Sequence, residues 1–230
     1  MQFQHSPEIW ESFPALAPGV LCVEGITFDR DVAARISEYE AVARSRLAQT
    51  AEGEWPEVQA WRRAFSQMGL KPTQYRCASE SLLRRFRKEG SLPRLHPLVD
   101  LCNAMSLAFG IPIAVFDVSC IAQRIEVRYA TGDEQYQSFA GDIEHPDRGE
   151  VVFVDARNNA HARRWTHRQS ALSAVRRDTA AALIVAEALH PSARPDVSRL
   201  IDALADELKA SWAEPSVKAL LSKTSPLFEC

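Results

Sequence analysis

Apolar residues recur along this chain at two spacings, and the first half is dominated by the helical one. Val32, Ile36, Ala43 and Leu47 predict a helix to about residue 48, begun by Asp29 or Asp31, with acids in its first half and Arg44 and Arg46 in its second, as the helix dipole favours. Trp55-Pro56 opens another that carries Val58, Trp61, Phe65 and Met68 and closes at Gly69. Ser79 is expected to cap a third, with Leu82, Leu83 and Phe86 on one face and Arg84, Arg85, Arg87 and Lys88 on the other. The sharpest element is a helix over 97–109. Pro97 suits the first turn, where its missing N–H is no loss, and Gly110 suits the left-handed residue past the end. Leu98, Leu101, Met105 and Phe109 form its apolar stripe, while His96, Asp100 and Asn103 project from the opposite side. Such a polar stripe is most simply a solvated face, and Leu107 interrupts this one.

Elsewhere the period is two, or the run is continuously apolar. Gly19 to Thr27 reads as a strand after an irregular, proline-punctuated lead-in. Ile111 to Phe116 reads as a buried strand ending at Asp117, a place where α/β-type folds put functional groups and where an Asp equally caps a turn. Arg124 to Tyr129 alternates, Gly132-Asp133 turns, and Tyr136 to Phe139 is its expected hairpin partner. Val151 to Asp155 is a buried strand, Asp155 to Asn159 a turn. Residues 160–169 are expected as one strand with His161, Arg163 and Trp165 on one side and Arg164 on the other. Asp178 is expected to cap a helix from Thr179 to Leu189. A final helix at about 196–212 buries Val197, Leu200, Ile201, Leu204 and Leu208, and the tail from Pro215 reads as a short helix and a frayed end.

A hydrophobic content of 46% over 230 residues is enough to bury one full core, and a single unit over 1–230 is expected. No apolar run is long enough to span a bilayer and the N-terminus lacks signal-peptide character, so the expected location is the cytoplasm. Five cysteines without a C-x-x-C pair suggest reduced structural thiols rather than disulfides or zinc. The net charge of −3 hides strong segregation: residues 62–94 carry nine Lys/Arg against two acids, and residues 156–177 carry six Arg and no acid. If the two tracts converge they make a surface suited to a phosphate backbone; if not, they are ordinary solvated faces.

Phosphate-loop, G-x-S-x-G and H-E-x-x-H motifs are all missing, and the six histidines have no metal-ligand spacing, so neither a metal nor a cofactor is expected. What remains is a set of polar groups on the 97–109 helix, at Asp117 and over Arg163 to Gln169, between two basic tracts. That pattern suits hydrolysis of an activated ester by an oriented water.

Several runs carry a family likeness: Tyr75-Arg76 with Leu82-Leu83-Arg84-Arg85, His96-Pro-Leu-Val-Asp-Leu-Cys-Asn103, Gly110-Ile-Pro-Ile-Ala-Val-Phe-Asp117, Gly149-Glu-Val-Val-Phe-Val-Asp155 and Arg164-Trp-Thr-His-Arg-Gln169. Together they resemble the B3/B4 domain, the editing module of the bacterial phenylalanyl-tRNA synthetase β subunit, over about residues 60–190. On this view residues 1–59 are an N-terminal strand-and-helix extension and 191–230 a C-terminal helical one. The resemblance implies an α+β fold, a mixed sheet flanked by helices, and metal-free hydrolysis of mischarged aminoacyl-tRNA; among free-standing members the chain is similar to canavanyl-tRNA(Arg) deacylases. It further implies tRNA as partner, Asn103 and Asp117 as the catalytic-pocket residues, and Arg164, Trp165 and Gln169 as the opposing wall. Asp100, Asp117 or Asp155 would pair with a cationic side chain, His96 would contact substrate, and Arg76, Arg84, Arg85, Arg87, Lys88, Arg164 and Arg168 would hold phosphates. Cys77 and His96 depart from the Ser and Asn expected there. The competing readings are a silent RNA-binding module, a deacylase for another ester such as tyrosyl-tRNA(Phe), and a small-molecule amidase or sensor.

Overall fold

A computed structural model describes residues 1–230 as an α+β fold. Strand β1 (Gln2–His5) and the short helix α1 (Pro7–Ser12) precede β2 (Ala17–Glu24); helices α2 (Ala33–Gln49), α3 (Pro56–Gln67), α4 (Ala78–Glu89) and α5 (Pro97–Phe109) then follow without an intervening strand. Next come β3 (Ile113–Asp117), β4 (Arg124–Tyr129), β5 (Tyr136–Gln137), β6 (Ile143–Glu144), β7 (Val151–Asp155), β8 (Ala160–Arg163), β9 (Arg168–Gln169) and β10 (Ala181–Ala188), and finally α6 (Ala193–Ser211), β11 (Val217–Leu220) and β12 (Leu227–Glu229).

Two sheets organise the molecule. One has six strands in the order β12-β1-β4-β7-β8-β9, antiparallel except for the parallel pair β1–β4; the other has four antiparallel strands in the order β11-β2-β10-β3. Their inner faces meet. Phe3, Ile125, Val127 and Phe153 from the larger sheet pack with Val20, Phe116, Leu183 and Val185 from the smaller. The outer face of the smaller sheet, with Leu21, Ile184 and Ala186, is covered by Leu98, Leu101 and Met105 of α5 and Val197 and Ile201 of α6. The approach of α6 is close enough that a Cβ on Gly19 would lie 2.4 Å from Ile201 Cγ1. Helices α2, α3 and α4 form a further layer, in which Leu107 packs with Ala43, Val58, Leu83 and Phe86.

That outer layer alters the meaning of the α5 polar stripe. Helix α5 is packed on both sides, so His96 and Asp100 are buried and serve the chain locally: His96 Nδ1 accepts from Leu98 N at 3.1 Å, capping the helix, and Asp100 Oδ1 accepts from Leu95 N at 2.9 Å. Burial lowers the His96 pKa and raises that of Asp100.

Other expectations need correction. Residues 181–188 form a central strand rather than a helix. Their alanines favour a helix in isolation, but the run is apolar on both faces, as a strand covered on both sides requires, and β10 pairs β2 from Ala181↔Glu24 to Ala188↔Ala17. Strand β4 pairs β1 and β7, whereas Tyr136-Gln137 pairs Ile143-Glu144. Residues 160–169 are a hairpin, not one strand, because Arg164 (φ 49°) and Trp165 (φ 55°) turn the chain back. Cys77, not Ser79, occupies the N-cap of α4. The lead-in holds β1 and α1, and the tail holds β11 and β12, where a helix and frayed end were expected.

Candidate active site

A cleft opens between the sheets, bounded by Ala78, Pro112 to Ala114, Phe153, Ala162, Trp165 to Gln169, Val185 and Glu187. Strand alternation explains how a carboxylate reaches it. Leu183 and Val185 point into the inter-sheet core while Ala182, Ile184 and Ala186 point to the helices, so period two sends Glu187 inward. Glu187 is 2% exposed and is held by two donors: His5 Nε2 lies 2.6 Å from Oε1, and Trp165 Nε1 donates to Oε1 at 3.1 Å and Oε2 at 3.0 Å.

The opposite wall is the β8–β9 hairpin. Two successive non-glycine residues in the left-handed region are unfavourable, and burial of the Trp165 side chain offsets this. Its ring makes edge contacts with Trp61 (5.0 Å) and Phe13 (4.7 Å), and its backbone N–H donates to Val151 O at 2.7 Å. The turn also brings His167 to the rim. Its Nδ1 lies 2.8 Å from Arg76 O, which assigns the proton to Nδ1 and leaves a lone pair on Nε2. Desolvation lowers its pKa, the Arg76 carbonyl opposes this, and the charges of Arg164, Arg168 and Arg76 lower it further; His167 is a neutral imidazole at physiological pH. Gln169 Nε2 donates to Val115 O at 2.7 Å, tying the hairpin to β3 across the cleft.

The basic tracts do meet here. Ala78 N donates to Thr166 O at 2.8 Å, Tyr75 packs edge-on to His167, and the Arg164 guanidinium lies 4.9 Å from the Tyr75 ring centre. Much of their charge is matched by carboxylates. Arg62 and Arg76 share buried Glu80, Arg84 and Arg87 share buried Glu52, Arg85 pairs Glu89, Arg163 and Arg168 meet Glu144, and Arg164 meets Glu150. Lys88 makes no ion pair.

Of the site residues expected from the sequence, Trp165, Arg168 and Gln169 line the cleft, and Arg164 and Arg76 border it. His96, Asp100, Asn103, Asp117 and Asp155 do not. Asp117 Oδ1 accepts from Ser119 N (2.9 Å) and Oγ (2.6 Å), and Oδ2 accepts from Thr179 Oγ1 at 2.6 Å, so it fixes the end of β3, whose other end lines the cleft. Asp155 accepts from Arg157 N and Asn159 N, both at 2.9 Å; burial disfavours its charge, but His161, Asn159 and the Ala122 N–H hold its pKa far below the usual range. Asn103, half-buried on α5, makes no side-chain hydrogen bond. Of the ionisable cleft residues, Glu187 escaped the sequence reading of the site, and His167 lay within its Arg163 to Gln169 run without being singled out. For Glu187 the signal was present: it is the sole charge between Thr179 and Leu189.

A family model described as the B3/4 domain matches residues 60–204. Over 54 residues, 24% of this chain, the sequence is 41% identical to the phenylalanine–tRNA ligase β subunit of Coxiella burnetii (strain RSA 493 / Nine Mile phase I), of which the match spans 7%. The fold is also similar to the crystal structure of an N-terminal fragment of the phenylalanyl-tRNA synthetase β subunit from Pyrococcus horikoshii, with a TM-score of 0.46 and 12% identity over 89% of this chain and 48% of that one. No helix is long and apolar enough to cross a membrane. With more than half its length matched, the chain belongs to the B3/4 domain family.

Proposed function

We propose that the chain is an aminoacyl-tRNA deacylase acting in trans, and that the cleft between the sheets receives the amino acid of a mischarged tRNA, with canavanyl-tRNA(Arg) as the favoured substrate. The observation that carries this reading is the buried carboxylate of Glu187 in a small cleft whose rim holds a neutral imidazole. A carboxylate with water excluded favours a cationic side chain over a neutral one of similar size. This assigns to Glu187 the pairing role that the sequence suggested for Asp100, Asp117 or Asp155, each of which is occupied in a local turn.

The ester to the terminal ribose is already activated, so the protein needs only to orient water and steady the charge that develops. His167 Nε2 takes a proton from water as its oxygen attacks the ester carbonyl. The tetrahedral intermediate collapses with cleavage of the acyl C–O bond, and the imidazolium returns the proton to the departing ribose oxygen. Gln169 and Arg168 supply N–H groups beside this path, and Arg76 and Arg164 border the entrance where the terminal phosphates would lie. Asp117 acts by holding β3, and the family likeness keeps Asn103 as a residue to be tested by substitution. The deciding experiment measures release of labelled amino acid from canavanyl-tRNA(Arg) by wild type and His167→Gln. Turnover lost in the variant with tRNA binding retained supports the reading; equal turnover in both would defeat it.

A further inference from the structure

The residues that hold Glu187 are not all within the matched family region. His5 closes β1, is 2% exposed, and places Nε2 2.6 Å from Glu187 Oε1. Its ring is held edge-on by Phe3 at 5.3 Å and Trp10 at 5.2 Å, and its Nδ1 is buried without a partner. The imidazole therefore has one use in the fold, and the proton it supplies is the one on Nε2. The β1–β4 ladder uses only the backbone of His5, so sheet pairing does not require this side chain.

A carboxylate has about four acceptor sites. On Glu187, His5 and Trp165 together occupy those of Oε1, and the Trp165 N–H, shared between the two oxygens, takes one on Oε2. We propose that His5 is a specificity-determining positioning residue: by pinning Oε1 it leaves Glu187 one open acceptor, on Oε2, through which the carboxylate meets the bound side chain. This rests on the cleft being the amino-acid pocket. A cationic side chain that gives Oε2 one charge-assisted N–H is satisfied there, and a neutral hydroxyl gains less from the same acceptor. The selectivity of the family-type cleft is thus completed by a residue from the N-terminal segment.

The test compares wild type with His5→Phe, which keeps a packed ring and loses the donor, and His5→Gln, which restores an N–H. Calorimetric binding of free L-canavanine and L-tyrosine is read beside deacylation of their tRNA esters, and the imidazole nitrogen resonances are recorded without ligand. His5→Phe should change the canavanine-to-tyrosine ratio about tenfold, the range expected for a hydrogen bond to a charged group, and His5→Gln should return it most of the way. An unchanged ratio in His5→Phe, or His5→Gln behaving like His5→Phe, overturns the proposal. So does an imidazole spectrum in which the His5 Nε2 proton is unaffected by Glu187→Gln. If wild type hydrolyses no ester while its binding ratio still depends on His5, the deacylase reading fails and the positioning role survives.

Discussion

Replacing Glu187 separates its structural duty from its chemical one. In Glu187→Ala the His5 and Trp165 N–H groups, both buried, lose their acceptor. At about 1–3 kcal/mol per unsatisfied buried donor, the expected loss is about 2–6 kcal/mol. For a chain of this length that lowers Tm by about 5–20 °C. Glu187→Gln should be much milder. Its amide oxygen can still accept from Trp165, and because His5 Nδ1 has no partner the imidazole proton can move there, letting Nε2 accept from the new amide. What is lost is charge assistance, about 1 kcal/mol. Urea unfolding followed by tryptophan fluorescence gives both values, and single-turnover deacylation gives the chemistry. The alanine variant should be at least about 2 kcal/mol less stable than the glutamine variant, yet both should lose the preference for a cationic substrate. Equal stability of the two variants would refute the buried-donor argument, and an unaltered substrate preference in Glu187→Gln would refute the chemical role.

With His167 in the proposed role of a neutral base, its pKa depressed, deacylation should be level above about pH 6.5 and fall as pH drops through that pKa; a profile that rises toward acid contradicts it. The same depression has a linked effect on stability: protonation is disfavoured in the folded state, so stability should decline as pH falls below the ordinary histidine range, and His167→Gln should flatten that decline in thermal melts. Gly19→Ala forces a methyl to 2.4 Å from Ile201 Cγ1, and overpacking of about 1–3 kcal/mol should appear as a lower Tm, with Ile201→Val in the same chain recovering part of it. Lys88 is the candidate phosphate-binding cation on α4 without a carboxylate partner, so Lys88→Ala should reduce the salt dependence of tRNA affinity by about one phosphate contact; an identical slope would remove α4 from the interface.

The sequence disclosed most where local chemistry and long-range packing agree. Helix α5 was legible to the residue because Pro97 and Gly110 mark its ends, and β4 and β7 because their runs are bounded by turn formers. What it concealed depends on distant partners. Strand β1 exists through β4 and β12, far along the chain, and nothing within Gln2 to His5 announces either. The alanine-rich run of β10 is a good isolated helix, and only its place between β2 and β3 makes it a strand. That single misreading hid Glu187, which as a helical residue is an unremarked surface acid and as a strand residue is the floor of the cleft. The stripe of His96, Asp100 and Asn103 misled in the other direction. Its spacing is real, but the layer formed by α2, α3 and α4 lies over it and two of its members cap turns.

The most direct test of the proposed deacylase activity is the release of labelled amino acid from canavanyl-tRNA(Arg) at one salt concentration, with arginyl-tRNA(Arg) and tyrosyl-tRNA(Phe) in parallel. Release should be rapid from the canavanyl ester, with arginyl and tyrosyl esters spared, and should be lost in Glu187→Gln. Stability of all three esters in the presence of protein that still binds tRNA would contradict it and identify the chain as a silent binding module.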